Sequence, residues 1–421
     1  MEGEYKMISR KELDDGLTVL TKNLPYTATA TIGFWIKAGV IYEPEACTGM
    51  THLLEHILGG QYFKGINIAE AIQELGGQIG GFTSKEFTYF YCKVPKDYIE
   101  ECIEILASIF NPFSIENEDL VKEKEVVSKE LLQYQNIPDI WVYTLLDKAL
   151  WPVHPYGRFI GGDQSSLANI SLDILQSYFQ KRYSPSNSIL IATGNVNKNE
   201  IFKKAESLWL DRKVSCPICF EPRYVSDVIE TPLPYMENIR PTNKISNITI
   251  GFKTLNEGSY KRVIYEVLST IVEKELKKLL RVQKGLCYSI KTSLQVLKEV
   301  FIFTVYATLQ GKDIQEFIST VFEVFNRLSR GKIENRNFLS CIRGCKSKFL
   351  FRSEDTIGYA SWLADAELYK DREYDILEFV KHFDKVVATN IIEASQELLT
   401  TPFSIGYIGE KSINEVISCV Y

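Results

Sequence analysis

Two of the four histidines in this chain stand one helical turn apart, with a glutamate between them. His52, Glu55 and His56 occupy positions i, i+3 and i+4 of the run THLLEH, so on a helix their side chains share one face. Two imidazoles with this spacing can bind Zn²⁺, and the carboxylate beside them can accept a proton from a water molecule that the metal activates. The pattern therefore predicts a hydrolytic zinc site. The alternative is an amphipathic helix whose histidines only form hydrogen bonds.

A catalytic zinc usually takes three ligands from the protein, so a third ligand is expected elsewhere in the chain. The segment 117–135 is predicted to form a helix and is rich in glutamate. Glu123 and Glu130 are two turns apart and lie on nearly the same face, whereas Glu125 points away. Spacing alone does not choose between Glu123 and Glu130. The competing interpretation is a solvated helix surface with i, i+4 ion pairs.

The elements that must position these residues repeat along the chain. The tetrapeptide TIGF occurs at Thr31 to Phe34 and again at Thr249 to Phe252, an offset of 218 residues. Strands that begin with FT and lead into a helix, and late strands that end in glycine, repeat at offsets of 216 and 215. The helices that follow the FT strands both begin with D-x-x-E, at Asp97 and at Asp313. Four matches in the same order at nearly one offset indicate a duplication.

Each half has a pattern typical of an α+β domain, an antiparallel sheet packed against helices. Five of the 14 prolines fall between Pro217 and Pro241, which predicts a linker. We expect two homologous domains, 1-213 and 242-421, joined by a Pro-rich linker at 214-241. Adding 216 to the histidine motif gives LSTIV at 268–272, without histidine or glutamate, and Glu130 maps near Lys346. Domain 1-213 is thus predicted to bind zinc and 242-421 to be a degenerate, non-catalytic copy.

Composition excludes several classes of protein. The 48 Lys and Arg against 54 Asp and Glu give a net charge of −6, which does not favour nucleic acid as a partner. No run of 18 apolar residues occurs, so no membrane partner is expected. The nine cysteines are odd in number and scattered, unlike a disulfide framework. We therefore expect a cytoplasmic protein.

The run GMTHLLEHILGG, followed by the two glutamates of EKEVVSKE, resembles the pitrilysin or insulinase-type zinc metallopeptidases, whose signature is HxxEH. The resemblance is strongest to short two-domain members related to mitochondrial processing peptidase, and it spans nearly the whole chain. Other matching stretches are DGLTVL, GFWIKAGVIYEPE, FTSKEFTYF, HPYGRFIGG, YSPSNSILIATGNV and LLRVQKGLCYSI.

The resemblance implies roles that spacing could not assign. It makes Glu130 the third zinc ligand and Glu123 a carboxylate that holds a zinc-bound histidine. It also implies that Arg281 and Tyr288, in the second half, bind the substrate, since arginine can donate to a peptide carbonyl and a tyrosine hydroxyl can stabilise an oxyanion. One departure is Gly80-Gly81, where family members commonly have Asn-Ala to bind the peptide backbone.

These residues predict a zinc-dependent metalloendopeptidase, a hydrolase that cleaves peptides or unfolded segments in an enclosed chamber, with peptide or leader processing as a role. By the same resemblance, a homodimer or a heterodimer with a related subunit is expected. The rival function is a non-catalytic substrate-binding or scaffold subunit of a heterodimeric peptidase, against which the intact HxxEH argues. A purely structural metal site would call for four ligands, and the sequence offers three.

Overall fold

A computed structural model describes residues 8–113, 115–208, 231–240, 244–369 and 373–416. The strands within these residues are β1 Ile8–Glu12, β2 Thr18–Asn23, β3 Thr29–Ile36, β4 Tyr62–Phe63, β5 Ile66–Asn67, β6 Gln78–Thr83, β7 Thr88–Pro95, β8 Ser188–Gly194, β9 Tyr235–Ile239, β10 Ile245–Leu255, β11 Cys287–Val296, β12 Val300–Gln310 and β13 Phe403–Gly409.

The α-helices of the same described ranges are α1 Met50–Gly59, α2 Ile68–Glu74, α3 Ile99–Ala107, α4 Asn117–Asn136, α5 Pro138–Leu150, α6 Gln164–Ala168, α7 Leu172–Arg182, α8 Lys198–Ser207, α9 Ser259–Leu276, α10 Ile314–Ser329, α11 Asn335–Glu354, α12 Thr356–Tyr369, α13 Ile376–Lys381, α14 Ala388–Thr400 and α15 Ile413–Val416. A π-helical segment, Lys277–Gln283, continues α9.

The described residues form two compact units, and these units do not coincide with the two halves of the sequence. The first unit draws on Met1–Leu131, Phe159–Pro222 and Phe351–Ile376. The second draws on Leu132–Arg158, Arg223–Leu350 and Leu377–Tyr421. Each unit contains one large sheet with helices packed against it, and the first unit also contains the two-stranded sheet of β4 and β5, so the predicted α+β class with two similar domains is confirmed.

The sheet of the first unit has the strand order β1-β2-β8-β3-β7-β6. Only β2 and β8 pair in parallel, and the other neighbours are antiparallel. Alternate residues of β7 illustrate why the sheet forms here, because Phe90, Cys92 and Val94 are buried in the core while Tyr89 and Tyr91 lie on the other face. Strand β6 is at the edge of the sheet and pairs with β7 alone.

The sheet of the second unit repeats this arrangement with the order β9-β13-β10-β12-β11. Its one parallel pair, β9 with β13, corresponds to β2 with β8 in the first unit. The two TIGF runs fall in β3 and β10, at equivalent central positions. The equivalence of strand order and pairing is the structural repeat that the sequence predicts.

The part of the predicted linker that the structure describes contains a strand. Most of 214-241 lies outside the described residues, but Tyr235–Ile239 forms β9. The fold of the second unit therefore begins before 242. This strand is hard to recognise in sequence because it is a short edge strand that follows Pro234 and carries no clear apolar alternation.

The two halves of the sequence exchange one equivalent helix. Helix α5 packs against β10 and β13 of the second unit, whereas α12 packs against β3 and β8 of the first. Their starts, Pro138 and Thr356, are 218 residues apart, the offset of the TIGF repeat. The Thr31 hydroxyl donates to Thr356 Oγ1 at 2.8 Å, and the Thr193 hydroxyl donates to the Thr356 carbonyl at 2.6 Å. The compact units thus differ from the predicted boundaries 1-213 and 242-421.

Candidate metal centre

Helix α1 of the first unit has one apolar face and one face with metal-binding side chains. Leu53, Leu54, Ile57 and Leu58 are buried in the core of the unit. The side chains of the motif, His52, Glu55 and His56, are partly exposed instead. Burial of four aliphatic side chains orients the helix, and the i, i+3, i+4 spacing then places the three polar groups together.

The N-terminus of α1 is held by a carboxylate from outside the helix. Glu43 is buried, and its two oxygens accept the backbone N–H groups of Gly49 at 2.8 Å and of Thr51 at 2.6 Å. Gly49 has a φ of 94°, a conformation that favours glycine. The Thr51 hydroxyl also hydrogen-bonds the Tyr178 hydroxyl at 2.8 Å. Glu43 is not among the residues predicted above, although an acidic residue shortly before a helix start is a recognisable signal.

Helix α4 brings Glu130 to the two histidines. Its Oε2 atom lies 3.3 Å from Nε2 of His56 and 3.9 Å from Nε2 of His52. The two imidazole rings are 4.7 Å apart at their centroids and nearly perpendicular, with an interplanar angle of 77°. Each of the three residues offers one ligand atom, and these atoms all lie within 4.8 Å of one another. Across the described ranges, this is the single group of three or more His, Cys, Asp or Glu side chains that meets this condition.

The donor set fits a zinc ion. Tetrahedral ligands at ordinary Zn–N and Zn–O distances are about 3.3 Å apart, close to the observed separation of the His56 and Glu130 atoms. Two imidazoles and one carboxylate are the ligand set of a catalytic zinc, and they leave a fourth position open for water or substrate. Burial lowers the pKa of His52 to about 4, so its imidazole is neutral near pH 7, which is the form that binds a metal.

Glu123 lies two helical turns before Glu130 in α4 and also approaches the histidines. Its Oε2 atom is 3.7 Å from Nδ1 of His56, on the side of the ring away from the Glu130 contact. The geometry agrees with a carboxylate that orients a metal-binding imidazole, although the distance is longer than a hydrogen bond. The structure thus places Glu130 in the group of side chains that could hold a metal ion and Glu123 near the opposite nitrogen of His56, and the roles of both glutamates stay predictions.

Glu55 contacts strand β6 at Thr83. Its Oε2 atom accepts a hydrogen bond from the Thr83 hydroxyl at 2.5 Å. Burial raises the pKa of Glu55 above its ordinary value, and the hydrogen bond from Thr83 acts in the opposite direction. Glu55 thus lies beside the ligand group in a partly desolvated position, which suits a general base.

The Gly80-Gly81 pair lies in the edge strand β6, next to Glu55. A Cβ atom at Gly81 would be 2.8 Å from Oε1 of Glu55, and one at Gly80 would be 2.6 Å from a ring carbon of Tyr91. At both glycines, a neighbouring side chain therefore occupies the space that a Cβ atom would need. The asparagine that family members commonly carry at Gly80 would collide with Tyr91 in this arrangement.

Arg281 and Tyr288 lie in the second unit. Arg281 belongs to the π-helical segment after α9 and is exposed. Tyr288 lies in β11, and 59% of its surface is exposed. Exposed polar side chains are compatible with substrate binding, and their role stays a prediction.

Two family models match this chain, one after the other. Residues 18–164 match the model described as insulinase, peptidase family M16, and residues 169–344 match the model described as the peptidase M16 inactive domain. The chain belongs to peptidase family M16. The resemblance stated above is thereby confirmed at the level of the family, and the closer relation to mitochondrial processing peptidase stays a prediction. The match to the inactive-domain model agrees with the absence of the histidine motif from the second half of the sequence.

Relatives of this M16 chain extend over its whole length. The protein named uncharacterized zinc protease YmxG of Bacillus subtilis is 26% identical over 414 residues, covering 96% of this chain and 98% of the relative. An uncharacterized zinc protease of Mycobacterium leprae is 25% identical over 415 residues, covering 96% and 92%. The names of both relatives state a zinc protease.

Solved structures share the fold of this M16 chain. A protease from Helicobacter pylori superposes with a TM-score of 0.83 at 17% identity, covering 96% of this chain and 99% of that one. A chain of complex III₂ from Candida albicans superposes with a TM-score of 0.82 at 16% identity, covering 98% and 99%. Among the described helices, none has the length and apolarity that a membrane crossing requires.

Proposed function

We propose that this M16 chain is a zinc-dependent metalloendopeptidase. The observation that carries the proposal is the convergence of ligand atoms from His52, His56 and Glu130 within 4.8 Å, with the Glu55 carboxylate beside them. Zinc is the metal that the names of the relatives give, and the three ligands found here suit it. Bound at this site, zinc would supply a Lewis acid that polarises a peptide carbonyl and acidifies water.

Glu55 is assigned the proton transfers of the reaction. Its carboxylate accepts a proton from the attacking water as the new C–O bond forms, and it then gives that proton to the leaving amine as the C–N bond breaks. Glu123 orients the imidazole of His56 through Nδ1. Arg281 and Tyr288 are proposed to bind the substrate carbonyl and the developing oxyanion, as the family resemblance implies.

Extended peptides or unfolded segments are the proposed substrates. Strand β6 ends beside Glu55 and has one hydrogen-bonded neighbour, β7, so its other edge is available to an added strand. Gly80 and Gly81 keep their backbone groups while offering no side chain, so recognition here rests on the main chain. We therefore expect this edge to select substrates by their extended conformation more than by their amino-acid sequence. The enclosed chamber, the processing of peptides or leaders, the dimer and the cytoplasmic location remain predictions from the sequence.

A second candidate is a non-catalytic substrate-binding or scaffold subunit. The likeness to a chain of complex III₂, a multi-subunit assembly by its title, and the inactive-domain match favour this possibility. The complete ligand group and Glu55 favour the peptidase, because a scaffold gains nothing from keeping all four residues in a working geometry.

The two functions are separated by metal analysis and cleavage of a mixed peptide library, with wild type compared with Glu55→Gln. The peptidase requires about one zinc per chain, cleavage by wild type, loss of cleavage in Glu55→Gln, and unchanged zinc in that variant. Glu125→Gln serves as the matched control, because Glu125 is an exposed residue of α4 that lies outside the ligand group. Wild type that binds zinc yet cleaves no peptide, alone or with related subunits, would establish the scaffold.

A further inference from the structure

We propose that Thr83 is a positioning residue that holds the Glu55 carboxylate in its reactive orientation, an inference that rests on the proposed peptidase function. Thr83 is the last residue of β6, is 4% exposed, and donates its hydroxyl to Oε2 of Glu55 at 2.5 Å. A buried residue at the end of β6 thus binds the proposed general base through its side-chain hydroxyl.

The Thr83 hydroxyl is itself fixed by the sheet. Thr83 is the cross-strand partner of Thr88 in β7, whose hydroxyl donates to the Ala38 carbonyl at 2.8 Å and lies 3.3 Å from Oγ1 of Thr83. The Glu55 carboxylate is a closer and stronger acceptor for the Thr83 proton than the Thr88 hydroxyl at 3.3 Å, so this proton is directed to Glu55. Threonine is also stiff at χ1, so a strand backbone sets the direction of its hydroxyl more firmly than that of serine.

The second oxygen of Glu55 is placed by the same strand. Oε1 lies against Gly81, where an added Cβ atom would be only 2.8 Å away. The carboxylate is therefore held at one oxygen by Thr83 and faces the main chain of β6 at the other. A glutamate has three rotatable side-chain bonds, so such restraint reduces the orientations that compete with the one facing the ligand group.

The expected effect of this restraint is positional, because the Thr83 hydroxyl donates to Glu55 and not to a residue of the ligand group. Removing the donor while keeping the shape of the side chain should lower the rate of the chemical step and leave substrate binding in place. A misplacement of a catalytic group by about 1 Å can cost about 100-fold in rate. A hydroxyl that merely satisfied a buried carboxylate would affect folding stability instead.

The test compares Thr83→Val, Thr83→Ser and Thr193→Val in the full chain, with wild type and Glu55→Gln in parallel. We expect Thr83→Val to lower kcat about 10- to 100-fold with KM and zinc content unchanged. Thr83→Ser, which keeps the donor, should recover most of the kcat. Thr193→Val loses the buried hydrogen bond of another threonine in the same sheet, to the Thr356 carbonyl, so it should lower the melting temperature and retain kcat in the folded protein.

Two results would overturn the inference while the peptidase function stands. One is a kcat of Thr83→Val equal to that of wild type. The other is a loss of kcat that is equal in Thr83→Val and Thr193→Val and follows the loss of folded protein. Failure of wild type to cleave, or equal cleavage by wild type and Glu55→Gln, would instead remove the proposed function on which the inference rests.

Discussion

The carboxylate of Glu43 accepts a hydrogen bond from the backbone N–H of Thr51 at 2.6 Å. A buried side chain eight residues before Thr51 thus holds the N-terminus of the helix that carries both histidines. The same carboxylate accepts the N–H of Gly49 at 2.8 Å. A negative charge at this end of α1 also interacts favourably with the helix dipole. The position of His52 thus depends on a residue outside its own helix.

Replacing Glu43 should loosen the metal-binding helix. We expect Glu43→Ala to lower the free energy of unfolding by about 1–3 kcal/mol, since two buried N–H groups lose their acceptor. Glu43→Gln keeps one acceptor oxygen and should have a smaller effect. Denaturant unfolding of metal-free protein measures the difference, and Glu45→Ala, at an exposed neighbouring position, is the control. Equal stability of Glu43→Ala and Glu45→Ala would contradict the role of Glu43.

Glu130 and Glu125 lie on one helix and should respond differently to loss of charge. Glu130→Gln removes a proposed ligand, so we expect zinc to be lost on dialysis against a weak chelator and peptide cleavage to fall to background. Glu125→Gln should retain both properties. Zinc content by atomic absorption and cleavage rates of the two variants check this prediction, which fails if Glu130→Gln retains a full equivalent of tightly bound zinc.

Glu123 should tune the metal site without being required for it. Its contact is with Nδ1 of His56, the nitrogen opposite the proposed ligand atom. We expect Glu123→Gln to weaken zinc affinity about 10- to 100-fold, the usual effect of losing a carboxylate that supports a metal-binding imidazole. Excess zinc should restore occupancy in this variant and not in Glu130→Gln. Identical competition curves for Glu123→Gln and wild type, measured with a fluorescent zinc chelator, would refute this role.

Gly80 should not accept the asparagine that family members commonly carry. The Cβ atom would be 2.6 Å from the ring of Tyr91, so we expect Gly80→Asn to lower the free energy of unfolding by about 1–3 kcal/mol. Combining it with Tyr91→Ala should cost less than the sum of the single changes, because the ring that causes the collision is gone. Strict additivity in urea unfolding of the four proteins would argue against this contact.

The first half of the chain should not fold by itself. Residues 1–213 lack α12, whose Thr356 accepts hydrogen bonds from the hydroxyls of Thr31 and Thr193 on the sheet of the first unit. We expect this fragment to bind a hydrophobic dye and to unfold without a sharp transition, since one face of its sheet is uncovered. A peptide of residues 351–376 added in excess should restore cooperative unfolding. A sharp thermal transition of the fragment alone would show that α12 is dispensable.

Features that depend on local periodicity could be predicted from the amino-acid sequence alone. The placement of His52, Glu55 and His56 on one face follows from the helical repeat, and the burial of four aliphatic residues of α1 confirms that repeat. The equivalent positions of the TIGF runs in β3 and β10 follow from strand patterns that survive in both halves. Such features need only neighbours in the chain.

Features that join distant segments of the chain required the folded structure. The proximity of Glu130, and not Glu123, to the Nε2 atoms of both histidines depends on how α4 lies beside α1, and the hydrogen bond from Thr83 to Glu55 depends on how β6 lies beside that helix. The exchange of α5 and α12 leaves no mark in the helices' own patterns, because an apolar face does not specify which of two similar sheets will bury it. Packing geometry, which selects among such equivalent partners, is a property of the folded chain.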